Sequence, residues 1–123
     1  MTPGSQPKKP LVTAICDAIR RVPRGRVSTY GAIAKAAGYP GNSRYVSRVL
    51  NLVGGLPWQR IVGSGGRISL RGEAALEQRF LLQSEGVRFK GRHVDLREFE
   101  HRFVTTERKY AKAVPKAKKM TRK

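Results

Sequence analysis

The chain has 123 residues, enough for one modest hydrophobic core and therefore for one domain. Its 26 Lys and Arg residues against 8 Asp and Glu give a formal net charge of +18, which indicates a polyanionic partner, most commonly nucleic acid. The single cysteine, Cys16, excludes a disulfide framework and a cysteine-based zinc site within one chain. No stretch approaches the roughly 20 apolar residues of a membrane span, so we expect a soluble, cytoplasmic protein without a metal or cofactor.

The positive charge is spread along the chain and is not confined to one end. Residues 11–104 carry sixteen basic and seven acidic residues, whereas residues 105–123 carry eight basic residues and one acidic residue. We expect a disordered segment over residues 1–10, one domain over 11–104, and a basic disordered tail over 105–123 that could lie along phosphates. A solvated basic surface or a small ribosome-associated protein remains an alternative on charge alone.

The first helix is predicted from residues 11–22, where apolar side chains recur at helical spacing until Pro23 ends the pattern. Cys16 lies within this helix. A lone cysteine in an amphipathic helix is usually a small residue at the edge of the core, and no histidine or lysine close in sequence marks it as a nucleophile.

Two short helices joined by a glycine-containing turn follow. Ser28 or Thr29 can cap the first, which Gly38 ends, and Asn42 or Ser43 can cap the second. This order is typical of a helix-turn-helix, whose second helix is presented to DNA. That helix has no acidic residue, and its candidate DNA contacts are Arg44, Tyr45, Ser47, Arg48 and Asn51.

A small β hairpin, or wing, is predicted after the helix pair. Residues 58–62 and 67–70 have the composition of two short strands around the glycine-rich turn at 63–66. The predicted fold class is therefore mainly α with a small β hairpin, a winged helix-turn-helix DNA-binding domain.

Residues 73–83 predict a further helix that Gly86 closes. Residues 87–89 and 94–96 predict a last short strand and its return. The apolar residues of the helix that we expect to be buried are Ala75, Leu76, Phe80 and Leu81.

Pro57 and Trp58 form a candidate pocket wall. Trp58 is the only tryptophan, and its flat apolar face with a single N–H donor suits a surface on which a planar ring can stack. On residue type alone, a core tryptophan at the start of a short strand is the favoured alternative.

Four separate motifs, in the right order, resemble the DNA-binding domain of O6-alkylguanine-DNA alkyltransferases over residues 11–90. The motifs are Val27–Ala34, the arginine-bearing helix from Ser43, Pro57–Val62, and Leu82–Val87.

The chain departs from this family at the reacting residue. Those enzymes carry Pro-Cys-His-Arg, whose cysteine thiolate takes the alkyl group, where this chain has Pro57-Trp58-Gln59-Arg60. Tryptophan has no nucleophilic atom, and glutamine cannot act as the base that activates a thiol. Glu85 matches the carboxylate that supports the family's histidine and has nothing catalytic left to orient. We therefore expect no enzymatic activity; alkyl transfer through Cys16, which does not match the nucleophile position, is the least favoured hypothesis.

A tryptophan in place of the cysteine is the mark of the alkyltransferase-like proteins, which bind alkylated guanine in DNA without repairing it. Their usual motif is Pro-Trp-His-Arg, so Gln59 is a second departure, whereas Arg60, Gly65 and Gly66 are expected to hold the pocket strand and wing. The resemblance implies a lone, monomeric DNA-reading module. Such a module would bind and flip O6-alkylguanine in double-stranded DNA and mark it for nucleotide excision repair proteins. The alternative is a winged-helix regulator or architectural protein that acts on undamaged duplex.

The resemblance also implies roles for individual residues. Tyr30 matches the tyrosine that presses on the phosphate 3′ to the target and helps to rotate the nucleotide outward. Arg44 matches the arginine finger that fills the gap left by the flipped base, for which a planar guanidinium is suited. Arg71 matches a pocket arginine that can lie against the flipped purine, with an ordinary surface charge as an equal alternative. The expected lesion pocket is Trp58, Arg71, Tyr30 and Pro57.

Overall fold

The computed structural model of the chain describes residues 9–103. Its helices and strands are α1 Leu11–Arg20, β1 Ser28–Thr29, α2 Tyr30–Ala36, α3 Ser43–Leu52, β2 Ile61–Val62, α4 Gly72–Ser84, β3 Phe89–Lys90, β4 His93–Val94 and α5 Leu96–Phe99. Two 3₁₀ turns, Trp58–Arg60 and Ser64–Gly66, lie on either side of β2. The basic tail expected over residues 105–123 lies outside the described residues. In the described range, none of the helices combines the length and apolar composition that crossing a bilayer would need.

Helices α1, α2 and α3 surround the first of two hydrophobic clusters, as the sequence predicts. Cys16 is 6% exposed within this cluster, which confirms its place in the core. Thr29 is the N-cap of α2, since its Oγ1 accepts a hydrogen bond from the backbone N–H of Ala32 at 3.1 Å. Gly38 follows the end of α2 with φ of 91°, a conformation that glycine adopts without strain. The helix pair α2–α3 is therefore positioned by a buried core and by local capping.

The hairpin predicted over residues 58–70 is wrong. Strand β2 pairs in parallel with β1, with Ser28 opposite Ile61 and Thr29 opposite Val62. Residues 58–60 form a 3₁₀ turn, and Arg67 makes an isolated antiparallel bridge to His93. Local composition identifies a short extended segment but not its partner, and a parallel pair joins segments that are distant in the chain.

The small antiparallel hairpin lies further along the chain, between β3 and β4, with Phe89 opposite Val94. This agrees with the last strand and return predicted from residues 87–96. Gly66 packs against the second strand of this hairpin, because a Cβ atom at Gly66 would collide with the carbonyl oxygen of Val94. Its structural role is thereby confirmed. The chain is mainly α with a small hairpin, although this hairpin is not the one predicted over residues 58–70.

Helix α4 buries a different face from the one that we predicted. Leu76 and Phe80 are 70% and 68% exposed, whereas Gln78 and Leu82 are 1% and 0% exposed. The prediction followed apolar character, but Gln78 occupies the core because its side-chain N–H groups donate to two backbone carbonyls. The other two residues expected to be buried are only partly buried.

Candidate nucleic-acid interface

Helix α3 has an apolar face in the core and a polar face in solvent. Val46 and Val49 are 0% and 1% exposed. Residues three, four and seven positions apart share a helix face, so the polar side chains form one continuous stripe. The exposed residues of this stripe are Arg44, Ser47, Arg48 and Asn51.

The first turn of α3 borders a shallow cavity of 420 Å³, whose lining includes Arg44, Tyr45 and Arg48. Tyr45 is partly buried against the first core cluster, and the guanidinium carbon of Arg48 lies 6.0 Å from the centre of its ring. Among residues 9–103, no carboxylate pairs with either arginine. The two guanidinium groups are therefore free to bind a phosphate or a base.

The helix-turn-helix belongs to a long stretch without acidic residues. Residues 18–72 contain ten Lys and Arg residues and no Asp or Glu. This stretch includes α2, α3, β2 and the loop that leads to α4. No carboxylate from this part of the chain repels a phosphate backbone, so its electrostatic field favours nucleic acid.

Tyr30 lies close to the loop that carries Arg71. Tyr30 directly follows Thr29, and the pairing of Thr29 with Val62 places it beside the end of β2. Its hydroxyl oxygen is 3.1 Å from Oγ of Ser69. Arg71 is two residues further on, exposed, at the N-cap position of α4. Tyr30 therefore contacts the loop that leads to Arg71, and the lesion pocket expected from these residues stays a prediction.

Pro57 and Trp58 are half-buried at the start of the 3₁₀ turn. Neither described hydrophobic cluster includes Trp58, so the alternative of a fully buried core tryptophan is wrong. Within residues 9–103, no hydrogen bond or ring contact joins Trp58 to Tyr30 or Arg71. Trp58 is therefore placed on the segment before β2, half-buried and outside both clusters.

Glu85 is the centre of a hydrogen-bond network that the sequence analysis missed. Gln59 Nε2 donates to its Oε2 at 2.8 Å. Arg60 donates from Nε to Oε1 at 3.0 Å and from Nη2 to Oε2 at 3.1 Å. The backbone N–H of Gly25 adds a fourth bond at 3.2 Å. Glu85 thus orients the segment that carries Trp58, and we call these residues, Glu85, Gln59, Arg60 and Gly25, the Glu85 network.

The charge of Glu85 is stabilised in the folded protein. Its side chain is 4% exposed, and burial alone would raise the pKa of the carboxyl group. The hydrogen bonds from Arg60, Gln59 and Gly25 outweigh burial and hold this pKa below the usual 4.5. The Glu85 network could have been predicted from the match of Glu85 to the carboxylate that supports the family's histidine. The glutamine at position 59 can donate a hydrogen bond to that carboxylate just as a histidine can.

Gln78 holds the same segment from the other side. Its Nε2 donates to the carbonyl oxygens of Gln59 at 3.1 Å and Ile61 at 2.8 Å. Arg60, between them, also donates from Nη1 to the carbonyl oxygen of Val22 at 3.1 Å, which confirms its expected structural role. In the described range, no group of three or more His, Cys, Asp or Glu side chains is placed to hold a metal ion.

Two curated relatives have names that concern DNA. The DNA base-flipping protein of Vibrio parahaemolyticus is 50% identical over 72 residues, which cover 56% of this chain and 72% of the relative. Alkyltransferase-like protein 1 of Schizosaccharomyces pombe is 40% identical over 80 residues, which cover 61% of this chain and 74% of the relative.

The fold is shared with a solved structure, that of S. pombe Atl1 in complex with damaged DNA containing O6-carboxymethylguanine. The TM-score is 0.66 at 30% sequence identity, and the match covers 76% of this chain and 95% of that chain. This likeness confirms the winged helix-turn-helix class. The family described as 6-O-methylguanine DNA methyltransferase, DNA binding domain, matches residues 10–87. This chain therefore belongs to the family of 6-O-methylguanine DNA methyltransferase DNA-binding domains.

Proposed function

We propose that this protein is a non-enzymatic sensor of DNA damage that binds duplex DNA, flips O6-alkylguanine out of the stack and holds it. The observation that carries this proposal is Trp58, which is half-buried and stands at the position where the family's enzymes keep their nucleophile. The likeness to S. pombe Atl1, solved in complex with damaged DNA containing O6-carboxymethylguanine, supports the same class of lesion.

Binding without alkyl transfer follows from the chemistry of the available groups. Alkyl transfer to protein needs a thiolate that can reach the O6 substituent. The only thiol in the chain, Cys16, is 6% exposed in α1, where a guanine ring has no access. Gln59 is bonded to Glu85 as a neutral amide donor and does not act as a base.

The polar stripe of α3 supports a role in extruding the base. Arg44 is exposed and, among the described residues, unpaired with any carboxylate, so its planar guanidinium can enter the stack and replace the lost base. Extrusion costs a few kcal/mol and least at a damaged pair. Tyr45, Ser47, Arg48 and Asn51 would bind the flanking backbone.

The pocket that receives the base is assigned to the segments around Trp58 and Arg71. Stacking of a base on an aromatic ring returns about 1–3 kcal/mol, comparable to the cost of extrusion. Arg71 can lie over the purine face, Pro57 adds a rigid apolar edge, and Tyr30 stands at the entrance beside Ser69. The flipped and bent site would then be presented to nucleotide excision repair proteins.

Competitive binding to duplexes that differ only in the O6 substituent tests this function. We expect O6-alkylguanine duplexes to bind more tightly than the guanine duplex, because only the damaged pair is easily opened. Equal affinity for both would favour a winged-helix regulator or architectural protein. Incubation with DNA carrying a labelled O6-methyl group should leave the protein unlabelled, and transfer of label to the protein would contradict the non-enzymatic assignment.

A further inference from the structure

A second basic groove lies between α4 and the loop that precedes it. The groove has a volume of 530 Å³, and neither Trp58 nor any residue of α3 lines it. Its lining includes apolar side chains such as Leu76 and contains no acidic residue. The cationic side chains that line the groove are Arg67, Arg71, Arg79 and Arg92. We call it the α4 groove.

The charges of the α4 groove are not compensated by protein carboxylates. Arg67, Arg71 and Arg92 are exposed, and within residues 9–103 no carboxylate lies within ion-pair distance of any of them. Like charges gathered in one groove raise the free energy of the folded protein unless an anion binds between them. The acidic residues near these arginines in sequence are Glu73, Glu77 and Asp95, and none of the three lines the groove.

Arg79 forms a fixed wall of the α4 groove. Its Nη1 donates to the carbonyl oxygen of Gly91 at 2.9 Å, and its guanidinium carbon lies 4.4 Å from the ring centre of Phe89. The hairpin that carries Arg92 is therefore tied to α4 at this point. Because Arg79 is already held in place, an anion that binds here does not have to order this side chain.

We propose that the α4 groove binds the phosphodiester backbone of the same DNA that α3 contacts. This inference rests on the proposed function and extends it, because Ser69 and Arg71 line the groove while Ser69 also contacts the hydroxyl of Tyr30. The groove therefore begins beside the candidate lesion pocket. A guanidinium group can donate two parallel hydrogen bonds to the oxygens of one phosphate, and the apolar lining residues suit contact with the deoxyribose between two phosphates.

The double variant Arg67→Gln/Arg92→Gln tests the assignment, because neither residue belongs to the proposed lesion pocket or to α3. Each phosphate contact contributes roughly 0.9 to the slope of log K against log salt concentration. On unmodified duplex, we expect the slope to become shallower by about 2 in the double variant. If the double variant folds poorly, Arg92→Gln alone should reduce the slope by about 1.

The matched control is Arg97→Gln/Arg102→Gln, which removes the same charge from exposed positions outside the groove. Its slope should equal that of the unaltered protein. Equal slopes for both double variants would overturn the proposal. A deoxynucleoside monophosphate or inorganic phosphate serves as a second probe. Saturable binding of either that requires Arg67 and Arg92, with an unchanged duplex slope, would overturn the backbone assignment in favour of a small-anion site.

Failure of the groove and failure of the sensor are distinguishable in these measurements. The slope on unmodified duplex reports the groove, whereas the affinity ratio between O6-alkylguanine and guanine duplexes reports the sensor. A shallower slope in the double variant together with a ratio of one in the unaltered protein would support the groove and reject lesion recognition.

Discussion

Two regions of this domain use arginine in opposite ways. In the Glu85 network, the Arg60 side chain is 17% exposed and its three donor nitrogens bond to Glu85 and to the carbonyl oxygen of Val22. On α3, Arg44 and Arg48 are exposed, and in the described part of the chain no carboxylate pairs with them. Arg60 therefore stabilises the fold through contacts within the protein, whereas the guanidinium groups of Arg44 and Arg48 are available to bind an anion.

The Glu85 network holds the segment that carries Trp58 with side chains that do not form a pair of nucleophile and base. The family's enzymes use the carboxylate at the position of Glu85 to support a histidine, and here the same carboxylate accepts bonds from Gln59 and Arg60. The network therefore positions Trp58 without supplying a base.

The largest expected effect is on stability and comes from Glu85→Ala. This substitution removes all the hydrogen bonds to the carboxylate and leaves Arg60 largely buried without its counter-charge, which we expect to lower the free energy of unfolding by about 3–5 kcal/mol in chemical denaturation. The control is Glu98→Ala, which removes the pair between Arg88 and Glu98, whose side chains are 73% and 49% exposed. That pair should contribute less than about 1 kcal/mol. Similar losses in the two variants would show that the Glu85 network is no more structural than a surface pair.

Arg44→Ala should weaken binding to DNA and leave stability almost unchanged, and its effect should be smaller than that of the change at Glu85. We expect the free energy of binding to an O6-alkylguanine duplex to weaken by about 1–3 kcal/mol, the size of one stacking contact. The free energy of unfolding should change by no more than about 0.5 kcal/mol, because Arg44 is exposed. Arg97→Ala removes an exposed arginine on α5 and should affect lesion binding less. Equal losses of affinity in the two variants would show that Arg44 contributes to binding only through its charge, as any exposed arginine would.

The helices and the exposed face of α3 are the part of the structure that the sequence predicts well. The helices and the cap at Thr29 follow from local spacing and local hydrogen bonds, so the positions of Arg44 and its neighbours on an exposed helix face could be predicted. The match of Trp58 to the nucleophile position follows from the order of the motifs and stays a prediction from the sequence.

The errors all concern contacts between distant residues. The strand over Ile61 and Val62 was expected to pair with residues 67–70, and it pairs with β1 instead. The sequence does not predict that Gln78 lies in the core. Its burial depends on hydrogen bonds to the carbonyl groups of Gln59 and Ile61, which lie far from it in the chain. The Glu85 network likewise joins residues separated by 25 to 60 positions. Local pattern contains no information on these partners, whose selection depends on tertiary packing.

The smallest expected effect is the acid sensitivity of the Glu85 network. Burial raises the pKa of Glu85 and the hydrogen bonds lower it, so the net downward shift from 4.5 is a difference between opposing contributions. A carboxyl group whose pKa is depressed on folding stabilises the protein above its unfolded pKa. That stabilisation is lost as the pH falls below 4.5 and through the pKa of the folded state.

Thermal unfolding between neutral pH and pH 3, at high salt, measures this acid sensitivity. The pKa of Asp17 is also lowered, chiefly by the hydrogen bond from Lys9. High salt screens this exposed pair and so reduces its contribution to the acid sensitivity. The contribution of the buried Glu85 network persists at high salt because screening there is weak. The unaltered protein should therefore lose more stability in acid than Glu85→Gln does. Parallel pH profiles for the two proteins would mean that Glu85 contributes no pH-dependent stability. The ion pair of Arg60 with Glu85 would then contribute no more to folding than the exposed charge of Arg44 does.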